Sequence, residues 1–193
     1  YITSLKAVQS FFAIKNGEVS QKDFVAFING IELSSRFAGL QGLGFARLVE
    51  TGKEDEIEAE LSRNYQLDRA VWPAETDQEL RAVITLLEPQ DDRNRAALGY
   101  DMYSEPTRRG GMMAAATADA PAASGPVELV QEITAEKQKG FLIYVPYRER
   151  ESTKVLGFIY APFRAGALHN AVLSRASFLP IVVETRDETS GDP

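Results

Sequence analysis

The spacing of apolar and polar positions changes along the chain, from helical near the start to strand-like near the end. Residues 3–15 place Leu5, Val8 and Phe12 on one face of a helix. Asn16-Gly17 then predicts the end of that helix, because these residue types favour the left-handed backbone that follows many helices. The first element is therefore predicted to be an amphipathic helix.

A second helix is predicted directly after the first. Ser20 and Asp23 have the spacing of a capping box, in which the hydroxyl and the carboxylate each accept a free amide of the first turn. Phe24, Phe27 and Ile28 follow at helical spacing. The second element is therefore also predicted to be an amphipathic helix.

The remaining segments alternate between strands and helices. The patterns predict a short strand within 39–50, a charged surface helix over 53–65 with a solvated acidic face, a buried strand over 80–89, a helix capped by Ser104 and ending near Ala118, and strands over 140–149 and 155–164. Gly110 and Gly111 inside the helix predict a break, or the close approach of a ligand or another backbone. Helices first, then short strands interleaved with helices, predict an α+β fold with an antiparallel sheet.

Composition narrows the functional classes. The 193 residues carry 21 Lys and Arg against 28 Asp and Glu, and this net charge of −7 disfavours a nucleic-acid surface. The chain has no cysteine and one histidine, so we expect no disulfide, metal site or cofactor. No apolar run reaches the roughly 18 residues of a membrane span, and no signal peptide is visible. A chain that starts at Tyr1 is expected to be part of a longer protein.

Several segments occur in an order that resembles a known family. They are AVQSFF, VSQKDFVAFI, LQGLGFARLV, NRAALGYDMYSEPTRRGGMMAA, KGFLIYVPYRE and LGFIYAPF. Together they resemble the CHASE domain, the extracellular sensory module of many histidine kinases and nucleotide cyclases, including plant cytokinin receptors. The resemblance spans roughly residues 5 to 175. Its most specific part is the LGYD…S…R block followed by Pro146-Tyr147.

The resemblance implies a domain organisation. It implies a long N-terminal stalk helix with the second helix packed along it, both over 1–37. A membrane-distal PAS-like lobe over 38–154 would hold the ligand, and an incomplete membrane-proximal PAS-like lobe would cover 155–193. The resemblance also implies a homodimer formed through the N-terminal helix, at the extracellular or periplasmic face of the membrane. Contact with the membrane would be made only by helices outside this chain, and the parent protein would be a histidine kinase or a diguanylate cyclase.

Asp101 is the principal candidate for ligand binding. In the cytokinin-receptor branch of the family, an aspartate at this position hydrogen-bonds the ring nitrogens of the ligand. A buried carboxylate needs donors, because desolvation otherwise raises its pKa and neutralises it. The alternative interpretation is that Asp101 caps a helix or pairs with Arg108 or Arg109.

The resemblance implies further ligand contacts around Asp101. Tyr103 would close the mouth of the pocket, and Arg109 is either a ligand contact or a structural residue. The other candidates are a backbone contact at Ala123, a polar contact at Thr134 or Glu132, and pocket walls from Phe141, Ile143 and Tyr144. Strand alternation puts Phe141 and Ile143 on one face and Tyr144 on the other, and the pattern does not choose between the faces. The ligand is expected to be a small polar organic molecule, adenine-like, amino-acid-like or of another kind.

Two other functions compete with a sensor. Small residues over 114–125 also fit a dimerisation or protein-interaction module whose pocket is closed. An enzyme would have to use Asp101 with Glu105 or Glu132 as a carboxylate pair. The chain has no G-x-S-x-G, Walker or metal-ligand spacing, so we expect a sensory domain without catalysis.

Overall fold

A computed structural model describes residues 1–32, 39–131, 139–164 and 166. These residues form five α-helices and one six-stranded antiparallel sheet, so the predicted α+β fold is confirmed. The helices are α1 (Ile2–Ile14), α2 (Gln21–Gly30), α3 (Glu54–Tyr65), α4 (Asp92–Ala97) and α5 (Pro106–Ala118). The strands are β1 (Leu43–Glu50), β2 (Leu80–Glu88), β3 (Ala122–Ala123), β4 (Val127–Glu128), β5 (Lys139–Arg148) and β6 (Val155–Arg164). A short 3₁₀ helix, Met102–Ser104, precedes α5.

The strands lie in the order β2-β1-β6-β5-β3, with β4 also paired to β5. The strand β6 is internal, because Tyr160 is in register with Gly44 of β1 on one side and with Tyr144 of β5 on the other. The resemblance implies a second lobe that begins at residue 155, and in the structure residues 155–164 form the strand β6 of this sheet. The rest of that expected lobe lies outside the described residues.

The N-terminal helix is short, whereas the resemblance implies a long stalk. Helix α1 has 13 residues, and the chain turns away after it through Asn16 (φ 52°) and Gly17 (φ 80°). Its buried face packs on the sheet, with the Phe12 ring centroid 4.5 Å from that of Phe45. Therefore α1 stabilises the fold through its contact with the sheet.

Helix α2 begins as its sequence predicts. The Ser20 hydroxyl accepts the amide of Asp23 at 3.2 Å, and the Asp23 carboxylate accepts the amide of Ser20 at 3.4 Å, which completes a capping box. Phe27 stacks on Phe11 of α1 with 4.7 Å between ring centroids. The two helices therefore pack together, as expected.

Helix α3 is held to the sheet by two ion pairs. Glu54 lies 2.6 Å from the guanidinium of Arg81 in β2, and Glu60 lies 2.8 Å from that of Arg47 in β1. The prediction that this acidic face is solvated is therefore wrong for Glu54 and Glu60. An amphipathic pattern identifies the exposed side of a helix, but it does not reveal which arginines come from distant strands.

Helix α5 covers the opposite face of the sheet from α1. Phe45 contacts α1, so Gly44 next to it points to the other face. There Gly44 makes room for the Tyr160 ring. Gly111 of α5 makes room for the backbone of Ser124, whose Cα lies 3.0 Å from the place where a Cβ would be, and for the Tyr144 ring at 3.2 Å. The predicted close approach is confirmed at Gly111, while Gly110 has nothing within 4 Å of its Cβ position.

Candidate functional site

The chain around Asp101 closes the free edge of β2. The amide of Gly99 donates to the carbonyl of Ile84 at 2.9 Å, and the amide of Ile84 donates to the carbonyl of Tyr100 at 3.0 Å. Asp101 bridges to Val83 in the same way that a short strand would. This pairing carries the backbone from the strand edge directly into the 3₁₀ helix that precedes α5.

The carboxylate of Asp101 is fully buried and has three donors from the protein. Its Oδ1 accepts the amides of Ala82 and Tyr103, both at 2.9 Å, and its Oδ2 lies 3.4 Å from Nη1 of Arg81. Burial raises the pKa of Asp101, while the two amides and Arg81 act in the opposite direction. The carboxylate thus caps the 3₁₀ helix and joins it to the strand edge.

Arg81 connects this edge to two other segments. Its guanidinium donates to the carbonyls of Pro73 and Ala74, at 2.9 and 2.6 Å, and it also pairs with Glu54 of α3. Its side chain is buried between these partners and Asp101. The sequence analysis missed Arg81; the available signal was an arginine inside the apolar strand LRAVITLLE.

The two arginines after Asp101 have other partners. Arg108 donates to the carbonyl of Glu128, and Arg109 donates to the carbonyl of Tyr103. The interpretation that Asp101 pairs with either of them is therefore wrong. Their contacts fix the start of α5 to β4 and to the 3₁₀ helix.

The cap of α5 is also different from the one that the sequence predicts. The carboxylate of Glu105 accepts the amides of Thr107 and Arg108, both at 2.9 Å. Although burial alone raises the pKa of Glu105, these amides outweigh it and the pKa is lowered. Ser104 instead donates its hydroxyl to the carbonyl of Asp101 at 2.6 Å.

The structure resolves which residues of β5 face α5. Tyr144 is fully buried beneath α5, with its hydroxyl 3.7 Å from the sulfur of Met102. Phe141 stacks on Phe163, whose ring contacts Tyr1, so Phe141 and the alternate residue Ile143 lie on the α1 face. The predicted wall residues therefore do not line one cavity together.

The two remaining predicted contacts are Ala123 and Thr134. Ala123 forms the short strand β3 and is in register with Ile143. Thr134 lies outside the described residues.

A groove of about 530 Å³ opens between α5 and the end of the sheet. We call it the α5 groove, and it is lined by Leu48, Val49, Glu50, Lys53, Glu56, Leu80, Tyr103, Ala116, Lys154, Val155, Leu156 and Phe158. Among the ligand contacts predicted from the sequence, Tyr103 lines this groove. Asp101 is not a lining residue, but its carboxylate holds the amide of Tyr103.

The α5 groove has an apolar floor and a charged rim. Glu50 and Lys53 form an ion pair at 2.7 Å, and the hydrogen bond with Lys53 lowers the pKa of Glu50. Within the part of the chain that the structure describes, the hydroxyl of Tyr103 and the ammonium of Lys154 have no hydrogen-bond or ion-pair partner. Burial raises the pKa of Tyr103, so this hydroxyl stays protonated and can donate.

The chain matches a known protein family. A model of the CHASE domain family matches residues 17–193. The chain belongs to the CHASE family. CHASE domains are sensory domains of receptors, generally extracellular, and they have no catalytic activity of their own.

The CHASE match begins after α1 and includes every strand of the sheet. No curated protein matches the chain. Of the helices in the described ranges, none has both the length and the apolar character that a membrane span requires.

We predict that Asp101→Ala lowers the free energy of unfolding by about 3 kcal/mol, because two buried amides lose their acceptor at about 1 to 3 kcal/mol each. Asp101→Asn keeps an acceptor oxygen and should lose clearly less. Urea unfolding of the wild type and both variants measures the difference. Equal stability of Asp101→Ala and the wild type would show that the carboxylate does not hold the edge of β2.

The same residue gives a pH prediction. Burial raises the pKa of Asp101 above its ordinary value of 3.8. The stability that the folded state gains by binding this proton is therefore fully present below pH 3.8. The contribution is lost as the pH rises through the raised pKa, because the folded state favours the protonated form. The stability of the wild type should therefore fall relative to Asp101→Asn as the pH rises above 3.8. A difference that grows in favour of the wild type would contradict the raised pKa.

Proposed function

We propose that this CHASE domain senses a small organic molecule that docks in the α5 groove. The observation that carries the proposal is a groove between a helix and a sheet that is lined by apolar side chains together with Tyr103 and Lys154. A volume of about 530 Å³ falls in the range of about 300 to 1,000 Å³ that is common for ligand sites. Membership of a sensory family supports the same function.

The lining indicates the chemistry of the ligand. Leu48, Leu156 and Phe158 favour an apolar body, since contact with them removes apolar surface from water. The hydroxyl of Tyr103 and the ammonium of Lys154 favour an acceptor group such as a carboxylate, a carbonyl or a ring nitrogen. The ligand is thus a small molecule with an apolar body and a hydrogen-bonding group.

Direct contact between Asp101 and a ligand stays a prediction. A ligand would have to reach a fully buried carboxylate whose Oδ1 already accepts the amides of Ala82 and Tyr103 and whose Oδ2 lies against Arg81. An indirect role has more support, because the carboxylate fixes the backbone of Tyr103 and hence the position of the phenol in the α5 groove.

Contacts on the other face of the sheet support the transmission of a signal to α1. The side-chain amide of Gln9 donates to the carbonyl of Pro146 at 2.8 Å, and the hydroxyl of Tyr147 donates to the carbonyl of Phe12 at 3.3 Å. Helix α1 also exposes Ile14, whose exposed fraction is 79%, which supports a homodimer formed through this helix. Ligand would bias that dimer only through a difference in affinity between its two states.

The proposal extends to the parent protein. We place the domain on the extracellular or periplasmic face of the membrane, in a receptor whose output is a histidine kinase or a nucleotide cyclase. A PAS-like membrane-distal lobe is supported by the antiparallel sheet with helices on both faces. A membrane-proximal lobe would follow Arg164.

A second candidate function is an interaction module whose pocket is closed. It is favoured by Tyr144 and Tyr160, which are fully buried and fill the space between α5 and the sheet next to Gly111 and Gly44. On this interpretation the α5 groove is a surface depression and the domain acts through protein contacts alone.

The test is a thermal-shift screen with adenine, phenylalanine, tryptophan and indole-3-acetate on the wild type and two variants. Ala116→Trp should fill the α5 groove and abolish the stabilisation by any active compound, which amounts to about 2.7 kcal/mol at 100 times its Kd. Ala114→Trp is the matched control, because Ala114 lies on the exposed side of the same helix.

Binding that survives Ala116→Trp would place the ligand elsewhere. The absence of a response to any compound in the wild type would favour the closed interaction module.

A further inference from the structure

One arginine joins the segments on either side of the α5 groove. The guanidinium of Arg148, at the end of β5, donates to the carbonyl of Ala116 at 2.6 Å and to the carbonyl of Thr153. It also pairs with Asp119 at 2.7 Å. These three partners belong to α5, to the turn after α5 and to the hairpin between β5 and β6.

Two of these segments form facing walls of the α5 groove. Ala116 itself lines the groove from the helix, and Lys154 and Val155 line it from the hairpin directly after Thr153. Arg148 therefore bridges the two walls and fixes the distance between them. No other hydrogen bond between α5 and this hairpin is seen among the described residues.

The chemistry of the partners suits this bridging role. Ala116 lies in the last turn of α5, where carbonyls lack partners within the helix, and a cation near that end is stabilised by the helix dipole. The planar guanidinium offers five N–H donors in a fixed arrangement and can serve three acceptors together. A lysine ammonium on a flexible stem does not have this geometry.

Arg148 also differs from an ordinary surface arginine. Its side chain is 25% exposed, and two of its acceptors are backbone carbonyls. Arg150 in the same hairpin is 85% exposed, and its ion pair with Glu151 is long, at 3.9 Å. The hairpin thus contains one bridging arginine and one solvated arginine.

We propose that Arg148 is a positioning residue that holds the walls of the α5 groove at a fixed separation. An effect of this separation on ligand affinity rests on the proposed function. The separation itself can be measured without a ligand. Arg148 would act on a ligand only through the positions of Ala116 and Lys154.

Spin labels can measure this separation, because the chain has no cysteine of its own. We would introduce Ala118→Cys after the groove wall of α5 and Glu151→Cys in the hairpin, both at exposed positions, and record the distance distribution by electron paramagnetic resonance. The distribution should be narrow with Arg148 present and should become broader and longer with Arg148→Met. Arg150→Met is the matched control and should leave it unchanged.

Arg148→Lys should give an intermediate distribution, because a lysine can reach only part of the three acceptors. This variant also keeps the test decisive if Arg148→Met does not fold. The proposal would be overturned if Arg148→Met gave the same distance distribution as the labelled parent. If Arg148→Met does not fold, the same comparison with Arg148→Lys decides. An equal change in Arg150→Met would also overturn the proposal. A ligand screen without response would overturn the proposed function and leave the measured separation intact.

Discussion

The capping of the free edge of β2 by Asp101 is the constraint on which the α5 side of the molecule depends. One buried carboxylate accepts an amide from the strand and an amide from the 3₁₀ helix, and Arg81 lies against its other oxygen. The chain therefore leaves the sheet at one angle, which sets the start of α5 and the position of Tyr103. The position of the α5 groove follows from that geometry, since Tyr103 of the 3₁₀ helix and Ala116 of α5 both line it.

Sequence patterns predicted the local elements well, because their causes lie within a few residues. The capping box of Ser20 and Asp23, the end of α1 at Asn16-Gly17 and the strands β5 and β6 each depend on neighbours along the chain. The resemblance to the CHASE domain, which depends on the order of many segments, also identified the family correctly.

The candidate site was harder to predict, because its contacts join residues that are far apart in sequence. The carboxylate of Asp101 meets Arg81 of β2, and the guanidinium of Arg148 meets Ala116 of α5. A periodic pattern shows that a residue is buried, but not which distant strand or helix it faces. For the same reason the pattern could not place β6 in the middle of the sheet or choose the face of Tyr144.

Native-state hydrogen exchange at the amides of Ala82 and Tyr103 tests the central role of Asp101 most directly. If the carboxylate closes the strand edge, both amides exchange as slowly as those of the buried core of β2 and open only with it. If instead both exchange at the rates of exposed loop amides while the core stays protected, Asp101 does not hold the edge. In that case the position of α5 and of its groove must have another cause.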